Sequence, residues 1–193
     1  MKSGKLREWN MSSKRTDNSR FEEKVLLRDV VVKDGDIILD CYHGEGIIWN
    51  EIEKNKSIDI IGIEKEKGKG FGCMYGRCEK IIPSLNLGAF SIIDFDAWGS
   101  PFQAMIVCFK NKTLKKGTKI FYTFIQTGFC AVEIKLLAYI GISKAMYKKC
   151  PTLYRNLGFT AFKEFLYQNG IKNITNYSIV DKTTKKNYGY FIV

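Results

Sequence analysis

The sequence predicts a doubly wound α/β domain with a mostly parallel sheet and a C-terminal antiparallel hairpin. Three short apolar runs carry most of this expectation: Asp36-Ile-Ile-Leu-Asp-Cys41, Ile58-Asp-Ile-Ile-Gly-Ile-Glu64 and Phe90-Ser-Ile-Ile-Asp-Phe-Asp96. Unbroken apolar runs of this length mark strands covered on both faces. Each run also closes at or beside an acid, which would fall at the carboxyl edge where open sheets bind ligands. The second observation is the passage from the first run through Gly44 and Gly46 into an apolar segment of helical spacing, the strand, tight turn and helix of a βαβ unit.

Met1 to Arg20 mixes Lys, Arg, Ser and Asn without periodicity and reads as a basic flexible arm. Residues 21–193 suit one domain, because a 193-residue chain with 45% hydrophobic residues can bury a single core. Phe21, Val25, Leu26 and Val30 have helical spacing, with Glu22 and Glu23 in the favourable first turn, so an amphipathic helix leads in. Ile47 to Lys54 is expected as the helix after the first strand. Lys65 to Gly70 is short and glycine-rich, so a loop comes after the second. Thr118 to Ile125 supplies a fourth strand, with helices over Ala131 to Tyr147 and Leu157 to Gln168, the latter stopped by Asn169-Gly170. Ile174 to Val180 and Tyr188 to Val193, joined by a polar turn around Lys182 to Asn187, make the hairpin.

Charge and cysteine usage narrow the function. Thirty-one Lys and Arg against 20 Asp and Glu give a net charge of +11, a field that draws phosphate polyanions. Nucleic acid is the expected partner, although a Lys-, Asn- and Ile-rich composition set by codon bias would leave the same excess. The six cysteines sit singly among apolar residues, as at Cys41, Cys108 and Cys130, and read as reduced thiols. A single His without a close cysteine pair gives no zinc pattern, and no metal is expected. No apolar run reaches the length of a membrane span, and the amino terminus lacks an apolar leader core. A cytoplasmic protein is expected.

The most informative stretch is Asp40-Cys-Tyr-His-Gly-Glu-Gly46. Glycines here take positive φ and admit a ligand close to the backbone, while a helix amino end offers unpaired N–H donors. Glu64 ends the next strand at about the ~20-residue offset where an acid in nucleotide-binding folds meets ribose hydroxyls. His43 reads more simply as a turn residue than as a ligand contact. The other dense cluster is Asp94-Phe-Asp-Ala-Trp-Gly-Ser-Pro101. An amine becomes nucleophilic when its protons are held or removed by an acceptor, which suits Asp96 with Asp94 in support. Trp98 is placed to stack on a base.

These residues resemble those of class I S-adenosylmethionine-dependent methyltransferases. Leu39 to Gly46 is similar to their motif I, in the Asp-x-Phe-x-Gly-x-Gly variety with Tyr42 at the aromatic position. Asp94 to Pro101 resembles the Asp-Leu-Asp-Pro-Phe-Gly-Ser-Pro signature of tRNA guanine 2-amino methyltransferases, with Ala97 standing for the first proline. The resemblance, which spans about Asp36 to Gly128, implies a Rossmann-like methyltransferase sheet. It implies S-adenosylmethionine as cofactor, held by Asp40, Tyr42, Gly44 and Gly46 around its methionine part and by Glu64 on the ribose. Arg77 and Cys78 would lie beside the adenine, Arg77 in the place of an acid. By the same match Asp96, Asp94 and Trp98 are the catalytic candidates, and Ala97 and Pro101 line the substrate side. Gln126 and Thr127, at the end of the fourth strand, are placed to hydrogen-bond a base edge. Tyr147 to Arg155 mixes bases with aromatics as a nucleic-acid surface does.

The expected function is methyl transfer to an exocyclic amino group of a nucleic-acid base, in RNA rather than DNA. Two alternatives stand beside it: methylation of a small molecule or protein, and a noncatalytic domain of this fold serving as an RNA-binding subunit.

Overall fold

A computed structural model of the protein describes residues 20–70, 72–127, 133–180 and 184–193. The expected arm therefore lies outside the described residues, except for Arg20. Helix α1 (Phe21–Asp29) leads into strand β1 (Ile37–Asp40), the glycine turn and the short helix α2 (Ile47–Ile52). Strand β2 (Asp59–Glu64) is followed by a loop over 65–70, then by the two-residue strand β3 (Met74–Tyr75) and helix α3 (Cys78–Ile81). Strand β4 (Ile92–Phe95), helix α4 (Phe102–Lys110) and strand β5 (Lys119–Thr127) continue the alternation. Helices α5 (Ile134–Leu137), α6 (Lys144–Lys149) and α7 (Thr152–Gln168) precede the hairpin of β6 (Ile174–Val180) and β7 (Thr184–Ile192).

The seven strands form one sheet in the order β3-β2-β1-β4-β5-β7-β6. The first five run parallel, and β7 pairs antiparallel with both β5 and β6. Strand order reverses at β1, between β2 and β4, so the carboxyl ends of β1, β2 and β4 open onto a switch-point crevice.

Alternate residues of the central strands feed two layers of core, as the two-residue period of a strand requires. On one face Ile38, Ile92 and Phe121 pack with Trp49 and Ile52 of α2 and with Val32. On the other, Leu39, Ile93, Ile120, Tyr122 and Phe124 meet Phe102 and Met105 of α4 and Phe162, Phe165 and Leu166 of α7. Helix α4 is apolar almost throughout, and so shows no polar face from which a helical period could be read.

Four expectations change in the structure. The helix expected from Ala131 to Tyr147 is broken: a 3₁₀ turn over Ala138–Ile140 ends in Gly141 at φ 76°, and Ser143 caps the new helix α6 by accepting from Met146 N–H. Helix α7 starts at Thr152, just after Pro151, five positions before the expected start. The expected turn around Lys182 to Asn187 is shorter, because the polar residues Lys185 to Asn187 already pair with β5 and β6. On α1 the apolar Leu26 and Val30 are 63% and 71% exposed, and the buried residues are Lys24 and Arg28.

Candidate active site

The turn after β1 is built by its own side chains. Asp40 accepts from the N–H of Tyr42 at 3.3 Å with one carboxylate oxygen and meets His43 Nδ1 at 3.1 Å with the other. The backbone closes at Gly46 N–H to His43 O, 2.8 Å, with Gly44 at φ 56° and Gly46 at φ 68°. Glycine is required here for a second reason. A Cβ on Gly46 would stand 2.7 Å from His43 Nε2, and one on Gly62 would stand 2.7 Å from both His43 Cγ and Cys73 Sγ. The imidazole is thus seated in a slot made by missing side chains. Its hydrogen bond to Asp40 raises its pKa, against the pull of partial burial.

Glu64 ties the second strand to this turn. One oxygen accepts from Gly44 N–H at 2.8 Å and the other from Glu66 N–H at 2.8 Å. A carboxylate offers about four acceptor positions, so the group keeps acceptor capacity toward the crevice.

At the end of β4 the two acids have different surroundings. Asp94 is gripped by Arg28, with Nε to Oδ2 at 2.7 Å and Nη2 to Oδ1 at 2.9 Å, and both side chains are 1% exposed. Burial pushes the Asp94 carboxyl up to about 6, against the pull of Arg28. Burial would lower the Arg28 pKa, but Asp94 and then Asp96 more than offset it and raise it. Asp96 is 13% exposed and has Lys24 Nζ at 3.0 Å, Arg28 at 3.8 Å and a hydrogen bond from the Thr123 hydroxyl. Burial would raise its pKa, yet Lys24 and Arg28 hold it below the ordinary carboxylate value. Beyond Asp96 the chain arches onto β5, where Ile125 N–H donates to Gly99 O at 2.7 Å, and Trp98 projects with 69% of its surface exposed.

These segments enclose a cleft of about 880 Å³. Of the residues expected at the site, Asp40, Tyr42, Gly44, Gly46, Glu64, Asp94, Asp96, Ala97 and Trp98 all line it, joined by Lys24, Trp49 and Thr123. Four are placed elsewhere or hold the scaffold. Arg77 pairs with Glu79 at 3.5 Å on an exposed surface, away from the cleft lining. Cys78 is buried, and its thiol donates to the carbonyl of Cys41. Pro101 caps α4 and is buried. Gln126 is buried and donates to the carbonyls of Tyr154 and Arg155 at 3.2 and 2.9 Å, tying β5 to α7 instead of facing a ligand. Thr127 closes β5, and its side chain lies outside the described residues. Sequence reading missed Lys24, Arg28 and Thr123. The available signal was the i, i+4 spacing of Lys24 and Arg28, which on a leading helix reads as a solvated face.

The arrangement joins a carboxylate-braced glycine turn, able to bed a nucleoside-sized ligand, to an ionised carboxylate beside an exposed indole. Among the described residues no three His, Cys, Asp or Glu side chains gather as a metal site.

No protein-family model matches the sequence, and no curated protein matches it significantly. Solved structures do match its fold. A SAM-dependent methyltransferase from Archaeoglobus fulgidus is 13% identical, with a TM-score of 0.57 over 91% of this chain and 95% of that one. The precorrin-6y C5,15-methyltransferase of Geobacter metallireducens is 10% identical, with a TM-score of 0.53 over 90% and 86%. A Pyrococcus horikoshii protein provisionally described as an RNA methyltransferase is 12% identical, with a TM-score of 0.53 over 92% and 86%. The chain therefore has the Rossmann-like fold these methyltransferases share, a mostly parallel seven-stranded sheet closed by a C-terminal antiparallel hairpin.

Proposed function

We propose that the protein is an S-adenosylmethionine-dependent methyltransferase acting on an exocyclic amino group of a nucleic-acid base, RNA in preference to DNA. The observation that carries the reading is the meeting of Asp40, Glu64, Asp94 and Asp96, from three strand ends, on one cleft with the Gly44–Gly46 turn and Trp98. The residues present fit the cofactor. The cleft volume of about 880 Å³ lies in the range of small-molecule sites. A Cβ on Gly44 would meet nothing nearer than Tyr42 O at 4.0 Å, so the space over the turn is open. The indole N–H of Trp49, which lines the cleft, is buried without a hydrogen-bond partner among the described residues.

When bound, S-adenosylmethionine supplies a methyl group made electrophilic by its sulfonium. Glu64 would receive the ribose hydroxyls, and the turn braced by Asp40 and His43 would bed the methionine end. Asp96 accepts a hydrogen bond from the acceptor amine, orients its lone pair and holds the proton the nitrogen releases. Trp98 stacks on the base and covers it from water. The net charge of +11 and the basic residues of α6 and the start of α7 serve the phosphate backbone. The fold neighbour provisionally described as an RNA methyltransferase supports the choice of RNA.

Calorimetry with S-adenosylmethionine, followed by labelled methyl transfer to mixed tRNA and to genomic DNA, tests the proposal. We expect saturable cofactor binding and label in the RNA, reduced by about 100-fold or more in Asp96→Ala, the range of a lost general base. Cofactor binding with full activity in Asp96→Ala refutes the role of Asp96. Absence of cofactor binding refutes the enzyme.

A further inference from the structure

Helix α1 turns a basic face inward. Lys24 and Arg28 stand one turn apart, and their burial is costly because cations leave water and must find opposite charge. Each guanidinium nitrogen of Arg28 has a partner: Nε and Nη2 on Asp94, Nη1 donating to the carbonyl of Lys24 at 3.0 Å, and the guanidinium over the rings of Trp49 and Phe121 at 5.8 and 5.4 Å. Lys24 lies on the cleft itself, 3.0 Å from Asp96, with its ammonium 5.5 Å from the centre of the Tyr188 ring on β7.

A scaffold selected for stability alone would place apolar side chains at these positions, since well-packed hydrophobic replacements of buried ion pairs are often neutral or stabilising. The charged arrangement has a different effect. It leaves Asp94 buried in its pairing with Arg28 and Asp96 partly exposed at the cleft, its anionic form compensated by Lys24 and by the Thr123 hydroxyl.

We propose that Lys24 is a positioning residue for Asp96: from α1 it keeps this carboxylate ionised and aimed across the acceptor end of the cleft, so that α1 is part of the active site. The inference rests on the reading of Asp96 as the group that receives the acceptor amine. The charged groups acting around Asp96 are Lys24 and Arg28 from α1 and Asp94 from β4; the Thr123 hydroxyl of β5 donates to it, and the Tyr188 ring of β7 lies 5.5 Å from the Lys24 ammonium. Asp40 of β1 acts on Asp94 and Arg28. The Asp96 charge helps to raise the Asp94 carboxyl, while the two cations hold Asp96 itself below the ordinary carboxylate value.

The test is the titration of Asp96 itself, followed by carboxyl carbon-13 NMR in full-length protein labelled at aspartate and assigned with Asp96→Asn. Wild type is compared with Lys24→Met, with Lys24→Gln, which keeps a donor but removes the charge, and with Lys24→Arg. Loss of a cation within 4 Å should raise the Asp96 midpoint by about 1–3 pH units in Lys24→Met and Lys24→Gln, and Lys24→Arg should restore it. The acid limb of the methyl-transfer profile should move up by the same amount, with cofactor affinity changed less than about twofold because Lys24 stands at the acceptor end. An unmoved Asp96 midpoint in both charge-removing variants overturns the inference even if the enzyme methylates RNA. A moved midpoint with a fixed acid limb also overturns it, since the ionisation would then not serve the reaction. A moved midpoint in a protein that binds no cofactor separates the two claims: the ion pair stands and the methyltransferase reading falls.

Discussion

His43 shows how much one side chain can depend on residues that lack one. Its ring occupies the space that Gly46 and Gly62 leave open and is held by Asp40 at 3.1 Å. The hydrogen bond to Asp40 raises the imidazole pKa above its ordinary 6.5. A proton bound more tightly by the native state than by the unfolded chain stabilises the fold at low pH. That contribution is complete below about 6.5 and is lost as pH rises through the higher native value. The melting temperature of wild type should therefore exceed that of His43→Gln most at about pH 6, and the gap should narrow toward about pH 9. A gap independent of pH would show that His43 is held by packing alone. At this scale the sequence reading named Asp40, Glu64, Asp94, Asp96 and Trp98, which the structure brings to one cleft, because acids and an aromatic clustered at strand ends have few structural reasons to be there. It assigned His43 to the turn but could not show its partner, since Asp40 is identified only by the direction of its carboxylate. It ranked Asp96 above Asp94 in role but gave neither acid its partner. Two residues of separation on one strand cannot reveal that Arg28 seals the first and Lys24 flanks the second.

Among the elements, β2 is fitted to the glycine turn more closely than its hydrogen bonds to β1 require. Gly62 faces His43 and Cys73, so a methyl there must displace the imidazole that organises the turn. Gly62→Ala should cost about 1–3 kcal/mol, the range of an overpacked core. It should also weaken cofactor binding by calorimetry, and an unchanged affinity would uncouple β2 from the cofactor turn. Strand existence was legible for β1, β2, β4 and β5, because short, continuous apolar runs bounded by acids and turn formers suit buried strands and little else. Strand β3 was not, because a two-residue strand leaves no period to read. The break between α5 and α6 was hidden for a different reason: apolar spacing continues across Gly141, and only its left-handed backbone, with Ser143 capping α6, divides the segment. On α1 the apolar stripe was half right: Phe21 and Val25 are half-buried, Val25 against the core, but Leu26 and Val30 are exposed and the most buried positions go to Lys24 and Arg28, which pair with Asp96 and Asp94.

For the whole molecule, the net charge of +11 predicts electrostatic association with nucleic acid. Counterion release makes such binding fall steeply with salt. Affinity for tRNA, measured by fluorescence anisotropy, should drop by at least about tenfold between about 50 and 200 mM salt, while S-adenosylmethionine affinity stays nearly constant. Salt-insensitive or absent tRNA binding would favour a small-molecule or protein acceptor on the same fold. The strand order β3-β2-β1-β4-β5-β7-β6 fixes where a reaction could take place, because the switch point beside β1 sets the carboxyl ends of β1, β2 and β4 around one cleft.

The sequence by itself determined the alternation of strands and helices, the terminal hairpin and the residues at the strand ends, because each is encoded locally by apolar period, turn chemistry or motif spacing. Only the tertiary structure decided which acid is sealed and which is presented, that Gln126 ties β5 to α7 while Cys78 lies in the core, and that a basic helix face reaches the cleft. These outcomes depend on contacts between segments up to 72 positions apart. Desolvation and opposite charge there settle what a side chain does, and neither quantity exists until the chain has folded.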